Sequence, residues 1–202
     1  MIEELRRAAA RDVSRETFEK LEAYAAFLRE ENGVQNLVSA STLDHFWDRH
    51  ILDSAQLVRC EPKPGASWID IGSGAGLPGI VVACIVSGPV TLIEPRQLRA
   101  DFLHKLCESL RLDASVFHGK AERAGGKYDV ITARAVAKMA DLLKISAHLS
   151  TRKTVWALPK GRSAAAELVE VRQSWQGVFH VEQSVTDPES KIVVGTGVRA
   201  KQ

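Results

Sequence analysis

The stretch "IDIGSGAGLPGI", Ile69 to Ile80, sets four glycines in eight positions behind a short apolar run, with an acid just ahead of them. Read from Gly74, it satisfies G-x-G-x-x-G, a fingerprint that requires a strand before it and a helix after it. Both are in place: "SWIDI" reads as a compact buried strand, and Pro78 suits the first turn of a helix. A loop leaving the carboxyl end of a strand in a parallel sheet is where such folds hold ligands. Glycines there let the backbone take positive φ and approach a ligand closely. The bland alternative is a tight strand-to-helix turn with no ligand, which seldom needs so many glycines.

Two acids bear on what the loop holds. Asp70 is expected near its mouth, where a carboxylate repels a diphosphate and suits a cationic ligand. The G-K-[ST] of a nucleoside triphosphate site is missing. S-adenosylmethionine, with a sulfonium, an ammonium and a carboxylate but no phosphate, fits these features. Glu94, ending the strand "PVTLIE", suits an adenosine-type cofactor because an acid there accepts hydrogen bonds from both ribose hydroxyls. NAD would use Glu94 equally. Asp129, heading "YDVITA", reads as a structural acid at a strand start.

Beyond the loop the chain alternates. "ASVFH", "YDVITA", "TVWAL", "VFHVEQSV" and "KIVVGT" are further strands, with helices over Gln97–Leu110, Ala137–Leu149 and Ser163–Trp175. Only an Asp187-Pro188 turn separates the last two strands, which predicts an antiparallel hairpin at the edge. The fold class is therefore α/β: a Rossmann-like, mostly parallel seven-stranded sheet with an antiparallel C-terminal strand, the class I methyltransferase arrangement. A symmetric dinucleotide fold would instead show a second βαβαβ half. Residues 1–60 read as a helical segment packing on a catalytic domain of residues 61–202. Phe18, Leu21, Tyr24, Ala25 and Leu28 recur at helical spacing, and Asn32-Gly33 is expected to stop that helix. Ser41 or Thr42 is expected to cap the next, whose apolar face includes Phe46, His50, Ile51 and Leu57.

Composition sets wider bounds. With 202 residues, 45% hydrophobic and 26% charged, the chain is of ordinary globular make-up. The net charge of +2 does not by itself announce a nucleic-acid partner. It is unevenly spread: residues 1–60 carry eight basic and eleven acidic side chains, so the excess of positive charge lies downstream. Three cysteines without C-x-x-C spacing indicate neither a disulfide framework nor a zinc knuckle. No apolar run is long enough for a membrane span, and the first residues lack a secretion signal. A cytoplasmic protein with no membrane partner and no metal is expected, as a monomer.

Taken together, the motifs resemble those of the bacterial 16S rRNA guanine-N7 methyltransferases, the glucose-inhibited division protein B family. "NLVSAST" at Asn36–Thr42, "RHILDS" at Arg49–Ser54, "DIGSGAGLPGI", "GKAE" at Gly119–Glu122, "ARAVA" at Ala133–Ala137 and "LPKG" at Leu158–Gly161 carry the likeness over nearly the whole chain. Lys120 stands where the family has arginine, and Pro95-Arg96 follows Glu94 where serine is common. The resemblance implies S-adenosylmethionine as cofactor and S-adenosylhomocysteine as product. It implies that Gly72 and Leu77 contact the cofactor, beside the Gly74, Gly76, Asp70 and Glu94 already read as lining it, that Ala121 and Glu122 flank its adenine, and that Arg134 sits beside cofactor and substrate. Arg134 is then the positioning group of the reaction. Guanine N7 presents a lone pair and loses no proton, so no general base is expected. The substrate would be 16S rRNA or the 30S particle, with Arg49, His50, Lys160 and Arg162 as RNA contacts and Arg96 and Arg99 as more distant phosphate contacts. The competing functions are a small-molecule methyltransferase on the same fold, an NAD-dependent oxidoreductase motivated by the literal glycine fingerprint, and a non-catalytic adenosylmethionine-binding protein.

Overall fold

Strands buried on both faces lose the in–out alternation of a half-exposed sheet, and Trp68–Ile71 and Val130–Ala133 are buried throughout. The computed structural model describes residues 1–201, Ala40 through its backbone alone. Helices α1 (Ile2–Ala9), α2 (Arg15–Gln35) and α3 (Ala40–Leu43), a π-helical stretch (Trp47–Leu52), α4 (Asp53–Ala55) and a 3-10 turn (Gln56–Cys60) come first. The alternating part follows as β1 (Trp68–Ile71), α5 (Gly79–Ile85), β2 (Val90–Glu94), α6 (Gln97–Ser109) and β3 (Ala114–His118). It continues with β4 (Val130–Ala133), α7 (Met139–Ser146), β5 (Val155–Lys160), α8 (Ala164–Ser174), β6 (Trp175–Gln183) and β7 (Lys191–Ala200).

The strand order is β3-β2-β1-β4-β5-β7-β6. Neighbours among β1 to β5 run parallel, and β7 runs antiparallel to both β5 and β6. This is the expected seven-stranded sheet with its reversed last strand. The chain winds from β1 out to β3 and then returns to place β4 on the other side of β1, so the topological switch point lies between β1 and β4. Register then sets the site, because Ile71 stands opposite both Ile93 and Ala133. Gly72, Glu94 and Arg134 therefore leave three adjacent strands at one level.

The helical segment departs from expectation in two places. Helix α2 runs through Asn32-Gly33 and ends at Gln35, with Asn36 at φ 47 closing it. An asparagine can take the left-handed conformation, and Asn32 stays helical while its Oδ1 accepts the Val38 amide hydrogen at 2.8 Å. Nor do Ser41 or Thr42 cap a long helix. Ser39 starts the four-residue α3, and the Thr42 hydroxyl bonds back to the Ser39 carbonyl. Leu5, Leu21, Leu28 and Ile51 share one core with Val82, Leu92 and Leu103. On the other face of the sheet Leu142, Leu143 and Leu168 pack with Ile69, Ile131 and Trp156. Among the described residues no helix is long and apolar enough to cross a membrane.

Gly79, the third glycine of the fingerprint, lets α5 lie close against the sheet. A Cβ there would sit 2.2 Å from Leu92 Cδ2 and 2.8 Å from Asp70 Oδ2. Gly79→Ala is expected to cost about 1–3 kcal/mol through overpacking, read as a lower urea midpoint at unchanged slope. A midpoint equal to wild type would mean that α5 slides off the sheet at no cost.

Candidate active site

The loop after β1 is built on left-handed backbone: Gly72, Gly74 and Gly76 have φ of 68, 55 and 95. A side chain at such angles is strained, least so for asparagine or aspartate, so these points favour glycine. Glu94, 3% exposed, clamps this loop from the end of β2. One of its oxygens accepts the Gly74 amide hydrogen at 2.8 Å and the other the Arg96 amide hydrogen at 2.9 Å. Each carboxylate oxygen keeps a second lone pair for another donor. From below, the buried Tyr24 of α2 donates its phenol hydrogen to the Ala75 carbonyl at 2.9 Å. Tyr24 looked like a helix-face residue in the sequence; only the tertiary fold brings it to the loop.

Asp70 does not stand at the mouth. It is 1% exposed, and its oxygens accept from the Thr132 hydroxyl at 2.9 Å and the Gly79 amide at 3.2 Å. The reason is strand parity: Asp70 shares a face of β1 with Trp68, which packs into the core beneath the helices. Burial pushes its carboxyl up to about 6, against the pull of its hydrogen bonds and of the Arg134 charge. The electrostatic case against a diphosphate thus passes to Glu94. Its carboxylate occupies the Gly74 N–H that a phosphate-cradling loop would keep free.

The other predicted residues divide. Leu77 is buried in the core under the loop. Ala121 is buried and Glu122 exposed on the short 3-10 turn after β3. Arg134 leaves β4 at the switch point, and its Nη1 lies 3.5 Å from Asp53 Oδ2. Ala135 follows at φ 56, a left-handed angle uncommon outside glycine, and Val136 then covers the glycine loop. A Cβ on Gly72 would come within 2.7 Å of Val136 Cγ2. Arg134, Asp53, Val136, Pro159, Lys160 and Glu167 line part of a cleft of about 460 Å³ beside these loops.

Lys160 is tied down: its ammonium donates to Glu167 at 2.8 Å and to the Ala137 carbonyl at 3.2 Å. Burial raises the Glu167 pKa, but the bonds from Lys160, the Met139 amide and Ser163 outweigh it and hold the carboxyl low. Arg162 pairs at the surface with Glu189. His50 is pushed down to about 4 by burial, with Arg134 and Arg49 adding to the effect, and its ring lies 5.2 Å from that of Phe46. It is neutral at ordinary pH and is no cation for a phosphate. Arg49 is exposed and lines a second cleft of about 460 Å³ together with His50, Asp53 and Thr186. Asp129 is structural, accepting from the Ser67 amide and pairing with Lys63 at the opposite edge of the sheet. Among the described residues no group of three or more His, Cys, Asp or Glu side chains could hold a metal ion.

The sheet order, with its reversed last strand, is the class I methyltransferase arrangement. A SAM-dependent methyltransferase from Aquifex aeolicus has the same fold, at a TM-score of 0.61 and 12% identity over 82% of this chain and 96% of that one. Residues 17–192 match the family described as rRNA small subunit methyltransferase G. Relatives with that name include one from Erythrobacter litoralis, 48% identical over 91% of this chain and 89% of its own length. Another, from Zymomonas mobilis, is 42% identical over 94% of this chain and 90% of its own. The chain belongs to the rRNA small subunit methyltransferase G family.

The buried acid gives a pH signature. Between the ordinary 3.8 and about 6, folded Asp70 keeps a proton that the unfolded chain releases, so its contribution to stability falls as pH rises through that window. His50, with its lowered pKa, works in the opposite sense and is common to both proteins in a comparison with Asp70→Asn. Relative to wild type, Asp70→Asn is expected to gain stability between about pH 4.5 and about pH 6.5 in urea unfolding. A difference constant across that range would mean that Asp70 ionises freely in the fold.

Proposed function

We propose that this chain transfers the methyl group of S-adenosylmethionine to N7 of a guanine in 16S rRNA, in the cytoplasm. The observation that carries this is the family match over residues 17–192, a span that includes every segment of the switch point. When bound, the cofactor supplies an electrophilic methyl group on a sulfonium. The chain's residues fit it: Gly74 gives an open approach, Gly72 turns the backbone under Val136, and Glu94 has acceptor capacity left for the ribose hydroxyls. Ala121 and Glu122 border the adenine, Leu77 holds the loop from the core, and Arg134 orients the reacting groups.

N7 attacks without losing a proton, so the work of the protein is alignment and exclusion of water. Positive charge builds on the guanine as it leaves the sulfonium. The carboxylates of Asp53 and Glu167 at the cleft are placed to favour that transfer of charge. The RNA is held by Arg49 and Arg162 and, further out, by Arg96 and Arg99. Substrate choice between naked rRNA and the 30S particle is read directly by experiment. Labelled S-adenosylmethionine is expected to label RNA in at least one of the two substrates, and label in neither would overturn the proposal.

Gly74→Asp tests the cradle. Aspartate tolerates the left-handed angle at 74, so the fold is expected to persist. The added side chain, beside Arg99, would stand in the ligand's path and weaken calorimetric binding of S-adenosylhomocysteine by about 100-fold or more. Undiminished binding would move the cofactor away from this loop.

A further inference from the structure

We propose that Asp53 is a positioning residue, whose carboxylate orients the Arg134 guanidinium and so makes the N-terminal helical segment part of the methyl-transfer site. This rests on the methyltransferase function proposed above. The two residues come from segments far apart in sequence and meet at the cleft wall, with Arg134 Nη1 3.5 Å from Asp53 Oδ2. That distance is long for a direct hydrogen bond, and both side chains are about one-fifth exposed, so the pair adds little to stability.

What distinguishes Asp53 is how firmly its other oxygen is held. Oδ1 accepts from Gln56 Nε2 at 2.8 Å and from the Thr186 hydroxyl at 3.0 Å. Gln56 is itself fixed: buried, it donates to the Ser184 hydroxyl at 3.0 Å and accepts the Val185 amide hydrogen at 2.9 Å. The helical segment and the turn between β6 and β7 thus grip one carboxylate from two sides and leave its second oxygen aimed at Arg134. Among the described residues Arg134 has no other hydrogen-bond acceptor or ion-pair partner. An anchored anion facing a cation with no other tether is an arrangement for setting direction. Arg134 is in turn continuous with Ala135 and with Val136, which covers Gly72. The residue that Asp53 faces and the residue that covers Gly72 are thus two positions apart in one segment.

The test is a double-mutant cycle on Asp53→Asn and Arg134→Ala. Asparagine keeps an oxygen for Gln56 and Thr186 and removes the charge that draws Arg134. Each single variant is expected to lower turnover on RNA by about 10- to 100-fold. Their combination should lose no more than Arg134→Ala alone, with melting temperatures close to wild type. S-adenosylhomocysteine affinity, measured by calorimetry, is expected to show the same non-additivity. Asp53→Glu should recover part of the loss. Thr186→Val, which leaves both charges in place and removes one of the two hydrogen bonds on Oδ1, should give a smaller loss in the same direction. Losses that multiply in the double variant, or full activity and affinity of Asp53→Asn, would overturn the proposal. If wild type labels no RNA, the methyltransferase function fails, while the calorimetric cycle still decides whether Asp53 acts through Arg134.

Discussion

Glu94 holds the amides of Gly74 and Arg96 on its two oxygens, and the carboxyl edge of the sheet is organised around that clamp. A glycine-rich loop is costly to order because its residues lose the most conformational freedom on folding. Here the order is imposed from several sides: Glu94 from the neighbouring strand, the Tyr24 phenol from α2, and the Asp70 carboxylate from within β1. Two of the three are acids engaged by backbone N–H groups. Only Glu94 brings its negative charge to the open side of the loop, which suits a cation and disfavours a diphosphate, while Asp70 is buried beneath it.

The sheet and its reversed hairpin were legible because their signals are local. Apolar runs mark the buried parallel strands, and the Asp187-Pro188 turn allows only a hairpin between β6 and β7. Glu94 was legible for the same reason, as a strand-end acid one register step beyond Ile93. Asp70 was misplaced although the means to place it were present. Alternation along β1 puts it on the face of Trp68, inward, two residues before the loop turns. Proximity in sequence to a binding loop is not exposure to its ligand. Tyr24, Gln56 and Thr186 carry no local mark of their roles, since each acts through a contact more than fifty residues away. The misjudged end of α2 has a local cause: Asn32-Gly33 is a stop signal only if glycine must take positive φ, and Asn36 supplies that angle instead.

The first sixty residues, acidic overall, meet the basic remainder of the chain at the site as well as in the core. Tyr24 reaches the glycine loop, Asp53 reaches Arg134, and Gln56 is bonded into the turn between β6 and β7. Removing the segment would uncover the apolar face of α5 and release the loop at once, so its packing and its part in the site cannot be separated by truncation. Point changes at Asp53 or Thr186 can separate them.

Charge pairing also decides which cations are left for a polyanion. A Lys or Arg already held by a carboxylate must break that pair, or bring its partner along, before it neutralises a phosphate, so it adds less to counterion release than a free one. Lys160 is half-buried and held by Glu167, which is fixed in turn by the Met139 amide and Ser163. It belongs to the cleft wall and contributes least. Arg162 faces Glu189 at the surface, where solvent screening makes such a pair weak and easily exchanged for a phosphate. Arg49 is exposed with no ion-pair partner among the described residues, although Asp48 and Glu189 line the same cleft. Of these cations, Arg49 and Arg162 are therefore the ones most readily released to an anion. The carboxylates that hold the inner cations, Asp53 and Glu167, stay with them on the cleft wall.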